Sequence, residues 1–334
     1  MTVAQIGVGY WGPNLLRNIV NNKQCHVKLA VDLSAERRIF VQSLYPEINV
    51  SDDADEVFSD SDIEAVIIAT PVESHYYLSI KALEAGKHIL VEKPLSTTVE
   101  EVEKIGKLAK EKNLVAMVGH TFLFNPAVRY VKKIIDSGEL GGIRYVYSQR
   151  VNLGRIRSDV DALWNLAPHD ISIVHYWLGE TSPISVKRTG MAYVQPDIED
   201  VSFLNMKYPG NILVNIHVSW LDPHKVRRMT VVGSEKMVVY DDLAENKVTV
   251  YDKGIDRLAV LGENMDFDNP EALIFNHRSG DKTVPKIDWE EPLIVEVAHF
   301  VNCVIDGVPC LTGVDHAKNV VAVLEQASTD PAFC

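Results

Sequence analysis

Residues 164–175 read WNLAPHDISIVH and place Asn165, His169, Asp170 and His175 among residues that are otherwise largely apolar. Three chemistries are open to such a segment: a metal site, an acid–base centre, or a core helix whose polar residues have no task. A metal site fits poorly. His169 and His175 are six positions apart, roughly 240° around a helix, and the HExxH spacing that sets two imidazoles on one face is absent. His175 and Tyr176 read as partly buried helix residues. Asn165 and His169 are four apart and share a helix face, so both are able to point into one cleft. Pro168 between them fits near a helix start or at a kink. A helix N-terminus close by would keep His169 neutral, as a general base requires. Taken alone, His169 reads better as a satisfied core histidine.

A second chemical signal is IGVGYWGPN, where Gly7, Gly9 and Gly12 stand in GxGxxG spacing. The motif follows an apolar strand and opens a helix, and Asp32 ends the next strand 20 residues after Gly12. In that fingerprint the first glycine makes the turn, the second admits a pyrophosphate and the third packs helix on strand. The pyrophosphate would rest on the helix N-terminus. Asp32 would accept from the adenosine ribose hydroxyls and repel a 2′-phosphate, so NAD is expected over NADP; Arg37 and Arg38 soften that preference. Tyr10 and Trp11 either line the cofactor channel or pack, with packing the better reading for Tyr10.

A third signal lies where parallel strands end, in ATPVESHY and VEKPLS. Ligands bind beyond the carboxyl ends of such strands, which makes Thr70, Pro71, His75, Glu92 and Lys93 cofactor-side candidates. Pro94 pushes the preceding residue towards extended geometry and so would aim Lys93. The plainer alternative is an ordinary loop lysine.

The elements that must position these residues follow from hydrophobic period. The first third alternates short apolar runs (VAQIGVG, VKLAVD, AVIIAT, HILVE, LVAMVGH) with amphipathic segments, which predicts an α/β domain with a parallel sheet buried on both faces, over residues 1–122. From 123 to 334 the pattern changes to an α+β domain with a large, mostly antiparallel sheet and helices on one face. In ILVNIHVSW, Ile212, Val214, Ile216, Val218 and Trp220 alternate with a mixed face. YPGN, VGSE and AENK read as hairpin turns, and a helical pair near the C-terminus closes the chain.

Composition narrows the function. The chain has 334 residues, 46% hydrophobic, and a net charge of −13; two domains are expected, and the charge argues against nucleic acid. No apolar run is long enough to span a membrane and the N-terminus does not resemble a secretory leader. Cys25, Cys303, Cys310 and Cys334 show no CxxC spacing, so neither zinc nor a disulfide framework is expected, and a reducing cytoplasm is the expected home. From Arg144 to Arg157 there are four arginines and no acid. That stretch is either a solvated strand face with its loop or a site for an anionic substrate.

GVGYWGPN, ATPVESH, EKPLS and a later histidine helix together resemble the Gfo/Idh/MocA family of nicotinamide-dependent sugar and cyclitol oxidoreductases, over essentially the whole chain. The resemblance implies a Rossmann domain joined to an α+β domain whose open sheet forms a homodimer or homotetramer. It also implies that Lys93 of EKP lies by the reacting hydroxyl and that His169 is the base. Where the family usually has an aspartate four residues before this histidine, the chain has Asn165. That leaves His169 to act with Lys93, Asp170 to substitute, or a weakened enzyme. WGPN, FLFNPA and DALWNLAPHDIS are similar to the branch that oxidises the 3-hydroxyl of UDP-N-acetylglucosamine-type sugars, for which Asn125, Asn152, Arg155 and Arg157 are substrate-side candidates. A cyclitol or free-sugar dehydrogenase and a non-enzymatic NAD-binding partner protein are the rival readings.

Overall fold

The computed structural model describes residues 1–259 and 273–329; Cys334 lies outside the described residues. Six parallel strands form the first sheet: β1 (Thr2–Ile6), β2 (His26–Val31), β3 (Asn49–Ser51), β4 (Ala65–Ile68), β5 (His88–Glu92) and β6 (Ala116–Gly119), in the order β3-β2-β1-β4-β5-β6. Every residue of β4 and β6 is buried, as a sheet covered by helices on both faces requires. The strand order reverses between β1 and β4, and the crevice at the carboxyl ends there is where this topology takes a ligand.

Local signals set the helices. α1 (Gly12–Asn21) follows the glycine motif with Pro13 in its first turn. α2 (Ala35–Leu44) is capped by Ser34, which accepts from the Arg37 backbone. α3 (Asp55–Ser59) is short, and α4 (His75–Glu84) leaves β4 through a tight turn. α5 (Val99–Glu111) starts at Thr98, whose hydroxyl accepts from Glu101 N; a Thr followed three residues later by Glu is the capping-box pattern.

α6 (Pro126–Asp136) begins the second unit, with Asn125 as its cap. The second sheet contains β7 (Ile143–Leu153), β8 (Ser185–Met191), β9 (Val201–Tyr208), β10 (Ile212–Ser219), β11 (Leu221–Gly233), β12 (Met237–Asp241), β13 (Val248–Ala259) and β14 (Leu273–Thr283). Their order is β14-β13-β12-β11-β7-β10-β9-β8. All neighbours are antiparallel except β7 and β10, which run parallel. The three expected hairpins are present: β9–β10, β11–β12 and β12–β13. Val214, Ile216, Val218 and Trp220 are buried on one face, and Leu213 and Phe203 are exposed on the other.

α7 (Ala162–Leu178) lies on the covered face of that sheet, against β7, β9 and β10. It is capped by Asp161 and closed by Gly179 at φ 80°; only glycine takes that left-handed turn cheaply. Two helices end the described chain: α8 (Pro292–Ile305) packs on α1, and α9 (Val314–Thr329) packs on both α5 and α7. Ala317 and Val321 share a core with Ala116 and Val118 of the parallel sheet. The expected division at residue 122 thus omits a return: the C-terminal helices are shared between the two units. Among the described residues no helix is long and apolar enough to cross a membrane.

Candidate active site

The three glycines divide the work as the spacing predicts. Gly7 has φ 94°, and a Cβ there would lie 2.6 Å from the carbonyl of Ala69. A Cβ on Gly12 would collide with the Gly7 carbonyl oxygen, whereas one on Gly9 would meet nothing within 4 Å. The first and third positions are closed by protein, and the second faces a space that a side chain would fill. Gln5, fully buried in β1, staples the turn by donating to the carbonyls of Gly7 (2.9 Å) and Gly12 (2.8 Å). Its signal in the sequence is a lone amide in an apolar strand. α1 has no side-chain cap and no acid in its first turn, so its free N–H groups are available to an anion. Asp32 accepts from Val8 N (2.7 Å) and Ser34 N (2.9 Å) and closes the other rim. These features fit a dinucleotide.

Around this cradle the expected contacts sort out. Tyr10 is 84% exposed and Trp11 40%, so Tyr10 does not pack and both rings stand at the mouth of the crevice. The Arg37 side chain is half-buried, while Arg38 donates to the carbonyls of Asp32 and Leu33 and pairs with Asp52. Thr70 and Pro71 follow β4, and the Thr70 hydroxyl bonds that of Ser74. His75 is corrected: it is 1% exposed, with Nδ1 2.8 Å from the Pro94 carbonyl and Nε2 2.8 Å from that of Thr70. The neutral ring donates to one of these carbonyls and lies against the other, so the buried His75 ties the loop after β4 to the loop after β5.

Lys93 leaves the end of β5, before Pro94 across a cis peptide, and its Nζ donates to the main-chain carbonyl of Asn165 on α7 at 2.8 Å. This bond carries the tip of the parallel sheet to the helix of the second unit. Burial pushes the Lys93 ammonium down to about 8, opposed by Glu92 and helped by Arg150 and Arg157. Burial also pushes the Glu92 carboxyl up to about 7, against the pull of Lys93. Glu296, fully buried on α8, is pushed well up by burial and by Glu92.

His169 stands on α7, one turn beyond Asn165, edge-on to Phe122 at 5.0 Å. Its Nδ1 is buried with no hydrogen-bond partner among the described residues. Burial, then Lys93 and Arg150, hold the imidazole well below its ordinary value. The expected helix-dipole cause is corrected. His169 and Pro168 lie two turns inside α7, and the dipole acts within the first turn; burial and nearby cations keep the ring neutral. His120, just after β6, is also buried, and sits edge-on to His316 at 5.1 Å. The strand-end rule applied to LVAMVGH would have found it. His175 is fully buried, packs edge-on to Tyr208 and is pushed down to about 4 by burial.

Several substrate-side candidates are engaged by other residues of the chain. Asp170 cannot stand in for the missing aspartate: its carboxylate accepts from Arg150 Nε (2.7 Å), Arg150 Nη2 (3.2 Å) and Ser148 Oγ (2.9 Å), all buried. The Arg150 guanidinium lies over the Phe122 ring at 4.5 Å, so the pair forms the wall behind His169. Asn125 is 1% exposed and is consumed as the α6 cap and as a donor to Tyr240 and Asp242. The Asn165 side chain accepts from Trp220 Nε1 at 3.3 Å, and only its backbone reaches Lys93. Arg157 is chelated by Asp159, with Nε at 2.8 Å. Arg155 is exposed and Asn152 half-buried beside Gly154, and no carboxylate among the described residues pairs with Arg155. Arg150 and Arg157 are thus each held by an aspartate, while both lie near enough to act on Lys93.

Residues 1–120 match the profile of the Gfo/Idh/MocA oxidoreductase family, NAD-binding Rossmann fold, and residues 128–239 match that family's C-terminal domain. The chain is 31% identical over 188 residues to 4-carboxy-2-hydroxymuconate-6-semialdehyde dehydrogenase of a Sphingobium species, covering 54% of this chain and 60% of that one. It is 28% identical over 285 residues to scyllo-inositol 2-dehydrogenase (NAD(+)) of Bacillus subtilis, covering 81% of this chain and 76% of the relative. UDP-N-acetylglucosamine 3-dehydrogenase of Acidithiobacillus ferrooxidans is 28% identical over 195 residues, 58% of this chain and 60% of its own length. Its solved structure superimposes with a TM-score of 0.80 over 98% of this chain and 96% of that one, at 23% identity. The matches to the first and third of these proteins thus span less than two thirds of their lengths.

Proposed function

The chain belongs to the Gfo/Idh/MocA oxidoreductase family, and from that premise we propose that it uses NAD to oxidise a secondary hydroxyl of a sugar or polyol. The observation that carries this reading is the meeting of Lys93 with α7 at the end of the dinucleotide-type sheet, 2.8 Å from Asn165 O and beside a neutral His169. Bound NAD supplies the hydride acceptor. Gly9 and the free N-terminus of α1 would hold its pyrophosphate, and Asp32 its ribose.

Lys93, with a proton held below about 8, is mostly charged at neutral pH and donates to the substrate oxygen as alkoxide character develops. His169, kept neutral by burial, accepts the hydroxyl proton. Arg150, anchored by Asp170, disfavours a lasting imidazolium and so favours release of that proton. Phe122 lies edge-on to His169, and Trp220 donates to the Asn165 side chain.

For the substrate we propose the 3-hydroxyl of a UDP-N-acetylglucosamine-type nucleotide sugar. What supports it is similarity to the Acidithiobacillus enzyme and the exposed Arg155 on the loop after β7, which pairs with no carboxylate among the described residues and stands where a diphosphate would need a cation. A free sugar or cyclitol is the second reading, favoured by the engagement of Arg150 and Arg157 with aspartates. NADH formation with UDP-N-acetylglucosamine, its uronic acid and myo-inositol separates them. Turnover on a nucleotide sugar that falls in Arg155→Ala supports the first reading, and turnover on myo-inositol alone rejects it. We place the protein in the reducing cytoplasm and expect copies to associate through the outer face of the second sheet, where Tyr145, Phe203 and Leu213 are exposed.

A further inference from the structure

α8 ends in a cluster that the hydride chemistry does not use. His299 and Cys303 are four positions apart on α8 and share a face, and Cys310 returns to them from the loop that joins α8 to α9. One ligand atom from each of the three lies within 4.8 Å of the other two. His299 Nε2 and Cys303 Sγ lie 3.5 Å apart. Zinc holds a thiolate sulfur at about 2.3 Å and an imidazole nitrogen at about 2.0 Å; in a tetrahedron those bonds separate nitrogen from sulfur by about 3.5 Å. Two of the donors therefore already have the spacing of ligands on one ion.

The surroundings suit a cation. Both cysteines are free thiols, Cys303 buried and Cys310 half-buried, so neither sulfur is committed to a disulfide. The His299 ring is steadied by Phe124, at 5.3 Å between centroids. Its Nε2 accepts from Leu311 N at 3.0 Å, a bond that an ion would replace while the same loop stays in place. The cluster opens on a groove also lined by Gly307, Val308 and Pro309, which provides a path for the ion and for a water.

We propose that His299, Cys303 and Cys310 form a binding site for a soft, thiophilic divalent cation of the zinc type, with water from the groove as fourth ligand. Soft thiolates with one imidazole select such ions over calcium or magnesium. The consequence is mechanical. The loop that carries Cys310 is already tied to the edge strand of the parallel sheet, where Val118 N donates to Thr312 O at 2.9 Å and Met117 bridges Gly313. The ion would clamp the α8–α9 connection onto β6.

The test is titration of the full, reduced, metal-free chain with Co2+, followed by displacement with Zn2+. The expected result is one equivalent bound, with thiolate-to-cobalt charge transfer in the near ultraviolet and the visible bands of a tetrahedral site. Zn2+ should abolish those bands and protect Cys303 and Cys310 of the native chain from alkylation, read by peptide mass. Cys303→Ser and Cys310→Ser should each lose the charge-transfer band, and Cys25→Ser should keep it. If the buried Cys303→Ser variant does not fold, Cys310→Ser and the alkylation of the native chain still decide. The proposal is overturned if the native chain shows no charge transfer, if both serine variants retain it, or if Zn2+ gives the two thiols no protection.

Discussion

Replacing Asp170 by Ala separates the two roles that this residue could have. Its carboxylate is 1% exposed and holds an Arg150 side chain that is 6% exposed, through two bonds, with Ser148 as a third donor. Removing one partner of a buried pair leaves an uncompensated charge and costs about 3–5 kcal/mol. Asp242 also acts favourably on Arg150, which sets the expectation near the lower end, about 3 kcal/mol. A chain of 334 residues has an unfolding entropy of about 0.7 kcal/mol/K, so the melting temperature should fall by about 4 °C. Asp159→Ala is the control: its pair with Arg157 is roughly a third exposed on each side, and such pairs contribute little, so its melting temperature should not move. The assay is differential scanning calorimetry of both variants, alongside NADH formation. An unchanged melting temperature for Asp170→Ala combined with lost turnover would refute the structural assignment and return Asp170 to the proton chemistry.

The glycine motif and the site's titration give two further tests. Gly9→Ala should fold normally, because its Cβ meets nothing within 4 Å, yet lose NAD affinity by at least about tenfold, whereas Gly7→Ala, at φ 94° and 2.6 Å from Ala69, should fail to fold; isothermal titration with NAD and a thermal melt check both, and tight NAD binding by Gly9→Ala would contradict the cradle. In the pH profile of kcat/KM for oxidation, the proton on Lys93 is present below about 8 and lost above it, so activity should fall as pH rises through that value. Glu92→Gln removes the carboxylate that raises Lys93 and should move that limb to lower pH, and an unmoved limb would show that Lys93 does not set it. No acid limb should appear at the ordinary histidine value, since His169 stays neutral there.

What was legible in the sequence is local. GxGxxG, Asp32 at a strand end and the alternation of Ile212–Trp220 each act within a few residues, and the structure has them as expected. What was not legible is pairing across the chain. Nothing near Arg150 in sequence announces Asp170 beneath it, and nothing near His75 announces the Pro94 carbonyl, so a buried brace and a ligand-binding histidine look alike as letters. Asn125 is a substrate candidate only through the resemblance of FLFNPA, and in the structure its side chain caps α6. Pro168 suggests a helix start or a kink, and α7 runs from Ala162 through it to Leu178. The His299–Cys303–Cys310 cluster escaped because its spacing matches no short motif and exists only where the loop folds back on α8.

The central claim is that Lys93 acts on the substrate oxygen and not in holding the cofactor. Lys93→Met keeps the length of the stem and removes the ammonium. NAD titration and NADH formation should be measured on the same preparation, with whichever nucleotide sugar or polyol gives turnover in the native chain. The account predicts NAD affinity within about twofold of the native chain and turnover reduced by at least about a hundredfold, within the range that one oriented hydrogen-bond donor contributes. Retained turnover, or loss of NAD binding in step with loss of turnover, would contradict it.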